Sequence, residues 1–305
     1  MPAAKPRARP EKVEPGFSSG RAPTKKANNL IAFQGMPGAY SHLACQAQFP
    51  RMDVLPCAQF EDAFLAVQKG RARLAMIPVD NSLAGRVADI HRLLPHSGLH
   101  IVGEHFERVN HHLLAIPGAS LKTVKTVFSH VHALGQCREY MRKKKLTAVV
   151  AADTAGAARD IAELDDPSVG AIASKLAAKI YGLKSLASNI EDADHNTTRF
   201  LIMSREPAHV RPKKGVKYVT TLVFRVRNVP AALYKALAGF ATNGVNLTKL
   251  ESYMVGGHFA ATQFYADVDG HPKDRSLTLA MEDLAFYSKE VKVLGTYPAH
   301  PFRSQ

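Results

Sequence analysis

No run in this sequence approaches the roughly 18 uninterrupted apolar residues a membrane-spanning helix needs, and its first residues lack the apolar core of a secretory signal. A membrane partner is therefore not expected. Cysteine is scarce: Cys45, Cys57 and Cys137 are odd in number with no CxxC spacing, which argues against a disulfide framework and against a thiolate zinc site. A reducing cytoplasm is the expected compartment. Histidine is plentiful, but His91, His96, His100 and His105 fall into no helical or strand ligand spacing. The neighbours His111 and His112 would point to opposite faces of a strand, so no metal is expected. Aromatics interleaved with the basic runs, as base stacking requires, are missing too. Nucleic acid is thus not expected as a partner despite a formal charge of +14. Seven cations against two carboxylates place +5 of that charge in residues 1–29, a Pro- and Ser-rich stretch expected to be disordered. The remaining surplus suits the attraction of small anions.

What is present begins at Leu30-Ile31-Ala32-Phe33, a short apolar run leading into Gly35-Met36-Pro37-Gly38-Ala39-Tyr40-Ser41 and then a helical pattern. Strand, glycine turn and helix start can aim backbone N–H groups at an anion, or make a plain tight turn. The spacing is not a dinucleotide fingerprint. Phe60, Ala63, Phe64 and Val67 have amphipathic helical spacing, and Leu74 to Ile77 reads as a buried strand ending at Pro78-Val79-Asp80-Asn81-Ser82. Strands are expected at 99–104, 109–116, 124–128, 146–151 and 169–173, with helices at 154–164 and 174–181 and another running from Ser129 to about Lys144. In that helix Ser129 would be the N-cap and Gln136 would share its face two turns on. The alternation implies an α/β architecture with a mostly parallel sheet. Asn196-Thr197-Thr198-Arg199-Phe200 feeds the apolar Leu201-Ile202-Met203, so donors and a guanidinium stand at the mouth of a buried strand. In a regular strand Thr198 and Phe200 share one face and Arg199 takes the other, so one ligand meets both only if the backbone is irregular.

A polar, basic stretch at 206–216 reads as a linker. After it the order is strand (218–226), helix (230–242, with Pro230 at N1), strand (246–254), a turn at Gly256-Gly257, strand (258–268), helix (277–288) and strand (291–297). This is the βαββαβ, ferredoxin-like layout.

Taken in order, the glycine turn, Pro78 to Ser82, Ser129-His130-Val131-His132-Ala133-Leu134-Gly135-Gln136-Cys137, Asn196 to Phe200, and the pair Asn228 to Leu233 with Glu251-Ser252 resemble monofunctional prephenate dehydratase with a C-terminal ACT domain. The resemblance implies a two-lobed, periplasmic-binding-protein-like catalytic domain at 30–205 with the active site between its lobes, a linker at 206–216, and an ACT domain at 217–298. It implies the loss of CO2 and water from prephenate to give phenylpyruvate in phenylalanine biosynthesis, with no cofactor. On the family's pattern Thr198 assists the leaving hydroxyl, and Asn81, Ser129 and Gln136 are neutral donors. Arg199 would clamp a carboxylate and Phe200 would wall the ring, with Ser41, Tyr40 and Ser82 as further substrate contacts. L-Phenylalanine is the implied effector at an ACT interface of a homodimer or homotetramer, near Asn228, Pro230, Ala231, Ala232, Leu233, Asn246, Leu247, Glu251 and Ser252. Several positions depart from the pattern: Val131-His132 for Pro-Gln, Asp80 for Glu, Ala231 for Gly, and Tyr253-Met254 for Arg-Pro. Arogenate dehydratase and a non-catalytic amino-acid sensor are the competing readings.

Overall fold

The computed structural model describes residues 29–254 and 261–304, so the basic tail up to residue 28 and the Gly256-Gly257 turn lie outside the described residues. One lobe begins with β1 (Leu30–Gln34), α1 (Tyr40–Gln48), β2 (Asp53–Cys57), α2 (Phe60–Gln68), β3 (Leu74–Asn81), β4 (Gly85–Arg86), α3 (Ala88–Leu93) and β5 (His100–Arg108). Ile31, Ala32 and Phe33 are fully buried, as in a strand covered on both faces, and β1 pairs in parallel with β2 and β3. A capping box starts α2: Gln59 and Asp62 each accept the other's backbone N–H, and Ala63, Phe64, Ala66 and Val67 turn inward.

The other lobe holds β6 (His112–Ala115), β7 (Thr126–Ser129), α4 (Val131–Gly135), α5 (Arg138–Lys144), β8 (Thr147–Val150), α6 (Thr154–Leu164), β9 (Val169–Ala173), α7 (Lys175–Tyr181) and β10 (Lys184–Ser188). Asp153 opens α6 by accepting from the Gly156 N–H at 2.7 Å, and small residues at 155, 157 and 158 let the helix lie close on its sheet. The chain then returns as β11 (Thr197–Ser204), inserted antiparallel between β3 and β5.

These sheets are mixed, not mostly parallel. Among the described residues, parallel pairing is confined to β1 with β2 and β3, and to β7 with β8 and β9. The reason lies in the route of the chain. Strands that end at the cleft run one way, while β6 and β11, which enter a lobe from the cleft, must run the other. Proline at 78 is tolerated inside β3 because its partner β11 shifts register between Arg199 and Phe200, beside the residue that pairs with Pro78.

A third unit follows: β12 (Tyr218–Val226), α8 (Ala232–Thr242), β13 (Leu247–Met254), β14 (Ala261–Asp269), α9 (Arg275–Tyr287) and β15 (Ser288–Pro298). Its antiparallel sheet has the order β13-β14-β12-β15. The expected βαββαβ layout is present, with α8 and α9 packed on one face around Leu222, Phe224, Phe240 and Leu284. Pro230 does not open α8 as N1; Ala231 is the N-cap, in the left-handed region at φ 61°. A non-glycine residue there costs about 1 to 2 kcal/mol. The opposite sheet face joins the first lobe in one core, with Val223, Tyr265 and Leu294 against Ile90, Leu94 and Ile101. Contact is so close that a Cβ at Gly295 would collide with the Ile101 carbonyl oxygen.

Candidate active site

The two crossings between lobes are bonded to each other. Val109 N–H donates to Asn196 O at 2.9 Å and Ile190 N–H to His111 O at 3.1 Å. Beside this ribbon, a cavity of about 410 Å³ opens between the lobes. Tyr40, Asn81 and Thr198 line it from the first lobe, and His130, His132, Gln136 and Thr154 from the second. Residues far apart in sequence meet here because the carboxyl ends of β3 and β7 both point to the cleft.

The polar groups are organised by amide side chains. Asn81 Oδ1 accepts the N–H groups of Leu83 and Ala84 at 3.0 and 2.8 Å, which orients its Nδ2 toward Thr198 Oγ1 at 3.0 Å and Asn196 Oδ1 at 2.8 Å. Asn196 Nδ2 in turn donates to Gln136 Oε1 at 2.9 Å, and His111 Nε2 lies 2.9 Å from the same oxygen. With Oε1 receiving two donors, the Gln136 NH2 is the part left to a ligand. Burial holds the His111 pKa below the ordinary value. The neutral ring that fits this network carries its proton on Nε2 and accepts at Nδ1 from the Tyr40 hydroxyl, 2.8 Å away. Asn110 O, which can only accept, also lies 2.8 Å from that hydroxyl, so the single phenolic proton is shared between Asn110 O and His111 Nδ1. Burial, with Cys137, Glu191 and Glu107 nearby, raises the Tyr40 pKa well above the ordinary value, so the phenol stays protonated. Burial and the neighbouring His132 lower the His130 pKa. Among the described residues that line the cavity there is no carboxylate, and Arg86 supplies the permanent positive charge.

Four of the expected residues, Thr198, Asn81, Gln136 and Tyr40, therefore share this cavity, and others do not. Arg199 is turned away from it and buried against the third unit. Its Nε meets Glu104 at 2.9 Å, Nη1 meets Asp267 at 2.5 Å, and Nη2 donates to the Tyr297 hydroxyl at 3.1 Å. The register explains this. Thr198 pairs with Asn81 and Arg199 with Asp80, and alternation gives the first pair to the cleft and the second to the opposite face. The bulge after Arg199 does not bring the guanidinium round. Phe200 is core, packed with Phe33, Cys45 and Met76. Ser129 is the last residue of β7 and not an N-cap; it is fully buried and donates to Ile172 O at 2.5 Å. His130 caps α4, which ends at Gln136, so the expected continuous helix from Ser129 is two short ones. Ser41 is buried, and Ser82 Oγ donates to His195 O while accepting from Thr197 N–H.

The glycine turn joins the lobes. Gly35 N–H donates to Cys57 O, and Gly38, at φ 95°, donates its N–H to His42 Nδ1. Ser174 and Tyr181 of the second lobe donate to Gly38 O and Pro37 O at 2.5 and 2.8 Å. The N–H groups of Gly35, Gly38 and Ala39 are thus engaged within the protein.

His111, Asn196, Arg86 and Thr154 were not singled out from the sequence as site residues. Asn196 heads the stretch that contains Thr198, and Arg86 is the first cation past the carboxyl end of β3, so both had a positional signal. Seven of the nine expected effector residues fall into two groups. Asn228, Pro230, Ala231, Ala232 and Leu233 form the turn and first helical residues after β12, near the Met254 end of β13. Asn246, bonded to Asp269, and Leu247 stand at the other end of that strand. Seven residues of strand separate the ends, roughly 24 Å. Glu251 faces the first lobe, in contact with Arg86 and Lys249, and the Ser252 carbonyl lies 3.5 Å from Arg86 Nη1.

Two α/β lobes, with a cavity at their double crossing that sets a few polar groups and no carboxylate in a largely apolar lining, have the build of a cleft enzyme. Residues 31–208 match the family model described as prephenate dehydratase. The chain belongs to the prephenate dehydratase family and is a carbon–oxygen lyase. It is 53% identical to a bifunctional N-acyl-homoserine lactone acylase/prephenate dehydratase of Komagataeibacter europaeus, across 90% of this chain and 97% of that one. With arogenate dehydratase/prephenate dehydratase 1 of Arabidopsis thaliana it shares 39%, covering 88% of this chain and 71% of the other. A solved prephenate dehydratase from Arthrobacter aurescens in complex with L-Phe superposes with a TM-score of 0.80 at 31% identity, covering 89% and 92% of the two chains.

Proposed function

We propose that this enzyme acts on prephenate, releasing CO2 and water to leave phenylpyruvate, and that the cavity between the lobes is where it does so. The observation that carries the reading is the Asn81–Thr198 pair. Asn81 donates to Thr198 Oγ1, so the threonine proton is directed elsewhere, and a hydroxyl that accepts one hydrogen bond donates a second more strongly. As the ring C–O bond breaks, electrons from the departing carboxylate close the aromatic ring and the Thr198 O–H supports the leaving oxygen. Hydroxide is basic enough to make late proton transfer from an alcohol feasible. The Gln136 NH2 adds a neutral dipole that does not hold the carboxylate back.

Conversion of prephenate to phenylpyruvate by the purified protein tests the reading. Thr198→Val should lower kcat by about 100- to 10,000-fold; unchanged turnover would remove Thr198 from this role. A higher kcat/KM for arogenate would move the substrate assignment to the amino analogue.

The third unit serves as an ACT regulatory domain in this proposal. The βαββαβ layout and the L-Phe complex of the Arthrobacter relative support that assignment. The two groups of effector residues lie at opposite ends of β13, so a site drawing on both takes its second half from another copy of the chain in a homodimer or homotetramer. Phenylalanine titration of activity, with light scattering for mass, tests this; no binding and a monomeric mass would refute it. A second reading, N-acyl-homoserine lactone cleavage, is favoured by the 53% identity to the bifunctional relative and by the apolar wall of Val87, Ala88, Val109 and Ala133. Release of homoserine lactone from an acylated substrate is its assay.

A further inference from the structure

With Arg199 committed elsewhere, the cavity still has to hold an anion, and Arg86 is the guanidinium in its lining. Its Nη1 lies 3.4 Å from Glu251 Oε2 and 3.5 Å from the Ser252 carbonyl, and the group sits 5.9 Å from the centre of the Tyr253 ring. All three partners belong to β13 of the third unit. They engage one edge of the guanidinium, and neither Nε nor Nη2 is engaged by those contacts, although a guanidinium offers five donors in a planar fork. Glu251 is itself fixed by Lys249 at 3.2 Å, and Lys249 bonds Asp80, the neighbour of Asn81, at 2.6 Å.

We propose that Arg86 binds the side-chain carboxylate of the substrate, and that Glu251 is its positioning residue, so that the anion site is completed by the third unit. This rests on the dehydratase reading of the cavity. The choice of carboxylate follows from charge flow. The ring carboxylate must lose its charge as CO2 departs, so a cation gripping it would oppose the step, whereas the side-chain carboxylate keeps its charge throughout. The substrate then lies with its side chain at the Arg86 rim and its ring toward Thr198. Because Glu251 and Tyr253 hold Arg86, a rearrangement of these side chains on β13 reaches the anion site directly.

Steady-state kinetics on prephenate and calorimetric binding of phenylpyruvate, on the full chain, test this. Loss of a charge-assisted contact predicts that Arg86→Gln raises KM and the phenylpyruvate Kd about 10- to 100-fold, with kcat changed much less. Arg86→Lys should recover part of that loss. Glu251→Gln should raise KM severalfold at nearly constant kcat, a pattern that general loss of structure does not produce. Unchanged KM and Kd in Arg86→Gln would overturn the proposal while leaving the dehydratase reading intact. A wild-type protein that failed to turn over prephenate would sink the dehydratase reading, and phenylpyruvate binding would then decide the anion site by itself. A Glu251→Gln variant with wild-type KM would refute the positioning role.

Discussion

Replacing Arg199 by methionine separates two accounts of this residue, because one puts the guanidinium on the substrate and the other inside the protein's own framework. In the structure it neutralises Glu104 and Asp267, whose side chains are 0% exposed. Arg303 is the other cation on both, at 2.7 Å from Glu104 and 3.4 Å from Asp267. Removing one partner of a buried ion pair costs about 3 to 5 kcal/mol. That should lower the melting temperature by on the order of 10 °C. The loss has a characteristic pH dependence. Burial alone would raise the Asp267 pKa, but Arg199, with the Thr221 hydroxyl, brings it below the ordinary carboxylate value. A depressed carboxylate contributes stability above its unfolded pKa and loses it as pH falls. Without Arg199 the buried carboxylate can take up a proton instead, so the gap between variant and wild type should narrow as pH drops. Melting curves at pH 8 and pH 5.5, with prephenate kinetics at low temperature, read both effects. The expected result is a large melting shift with KM within about threefold of wild type. A milder Arg199→Lys change that left melting unaltered yet raised KM tenfold or more would refute the structural account.

Gly38→Ala should impair activity and stability together, since the new Cβ would stand 2.8 Å from the Ala177 Cα at a φ of 95°. A penalty of about 1 to 3 kcal/mol and a lower kcat/KM are expected; wild-type values for both would show that the lobes tolerate separation there. His91 lies under the third unit, 1% exposed, with Nδ1 at 2.5 Å from the Tyr253 hydroxyl. Burial, the largest effect, lowers its pKa to about 4. For a lowered histidine the penalty is absent above the unfolded value near 6.5 and grows as pH falls, reaching about 3 kcal/mol by pH 4. Denaturant midpoints from pH 7 to pH 4 should therefore fall less steeply in His91→Phe than in wild type, and parallel curves would count against the assignment.

Much of the fold was legible because its strands and helices carry strong local patterns. The residues of α6, β9 and β12 were expected where they are found, and the βαββαβ order could be read from 218 to 297 with shifts of a few residues at the ends. Strand direction was not legible, since it depends on which strands arrive from the cleft. Alternation at Thr198-Arg199-Phe200 already said that the first two residues face opposite ways, and the structure agrees with that local argument over the shared-motif assumption that both meet substrate. What a single sequence could not show is that Arg199's face would be covered by β12, β14 and β15, some 20 to 100 residues further on. Ser129 misled for a related reason: a serine closing a buried strand and a serine opening a helix look alike when both are followed by helical residues.

The absent side chain at Gly295 has a mechanical corollary. Backbone laid on backbone at Ile101 leaves no soft layer through which the third unit could slide on the first lobe. Those two pieces form a single heavy arm, and the light one is the second lobe, suspended from the paired chain crossings at 109–111 and 190–196. An effector that seizes the third unit would then act as a hand on the stationary jaw of a vice, felt at the opening through Arg86 and not through any swing of the part it holds.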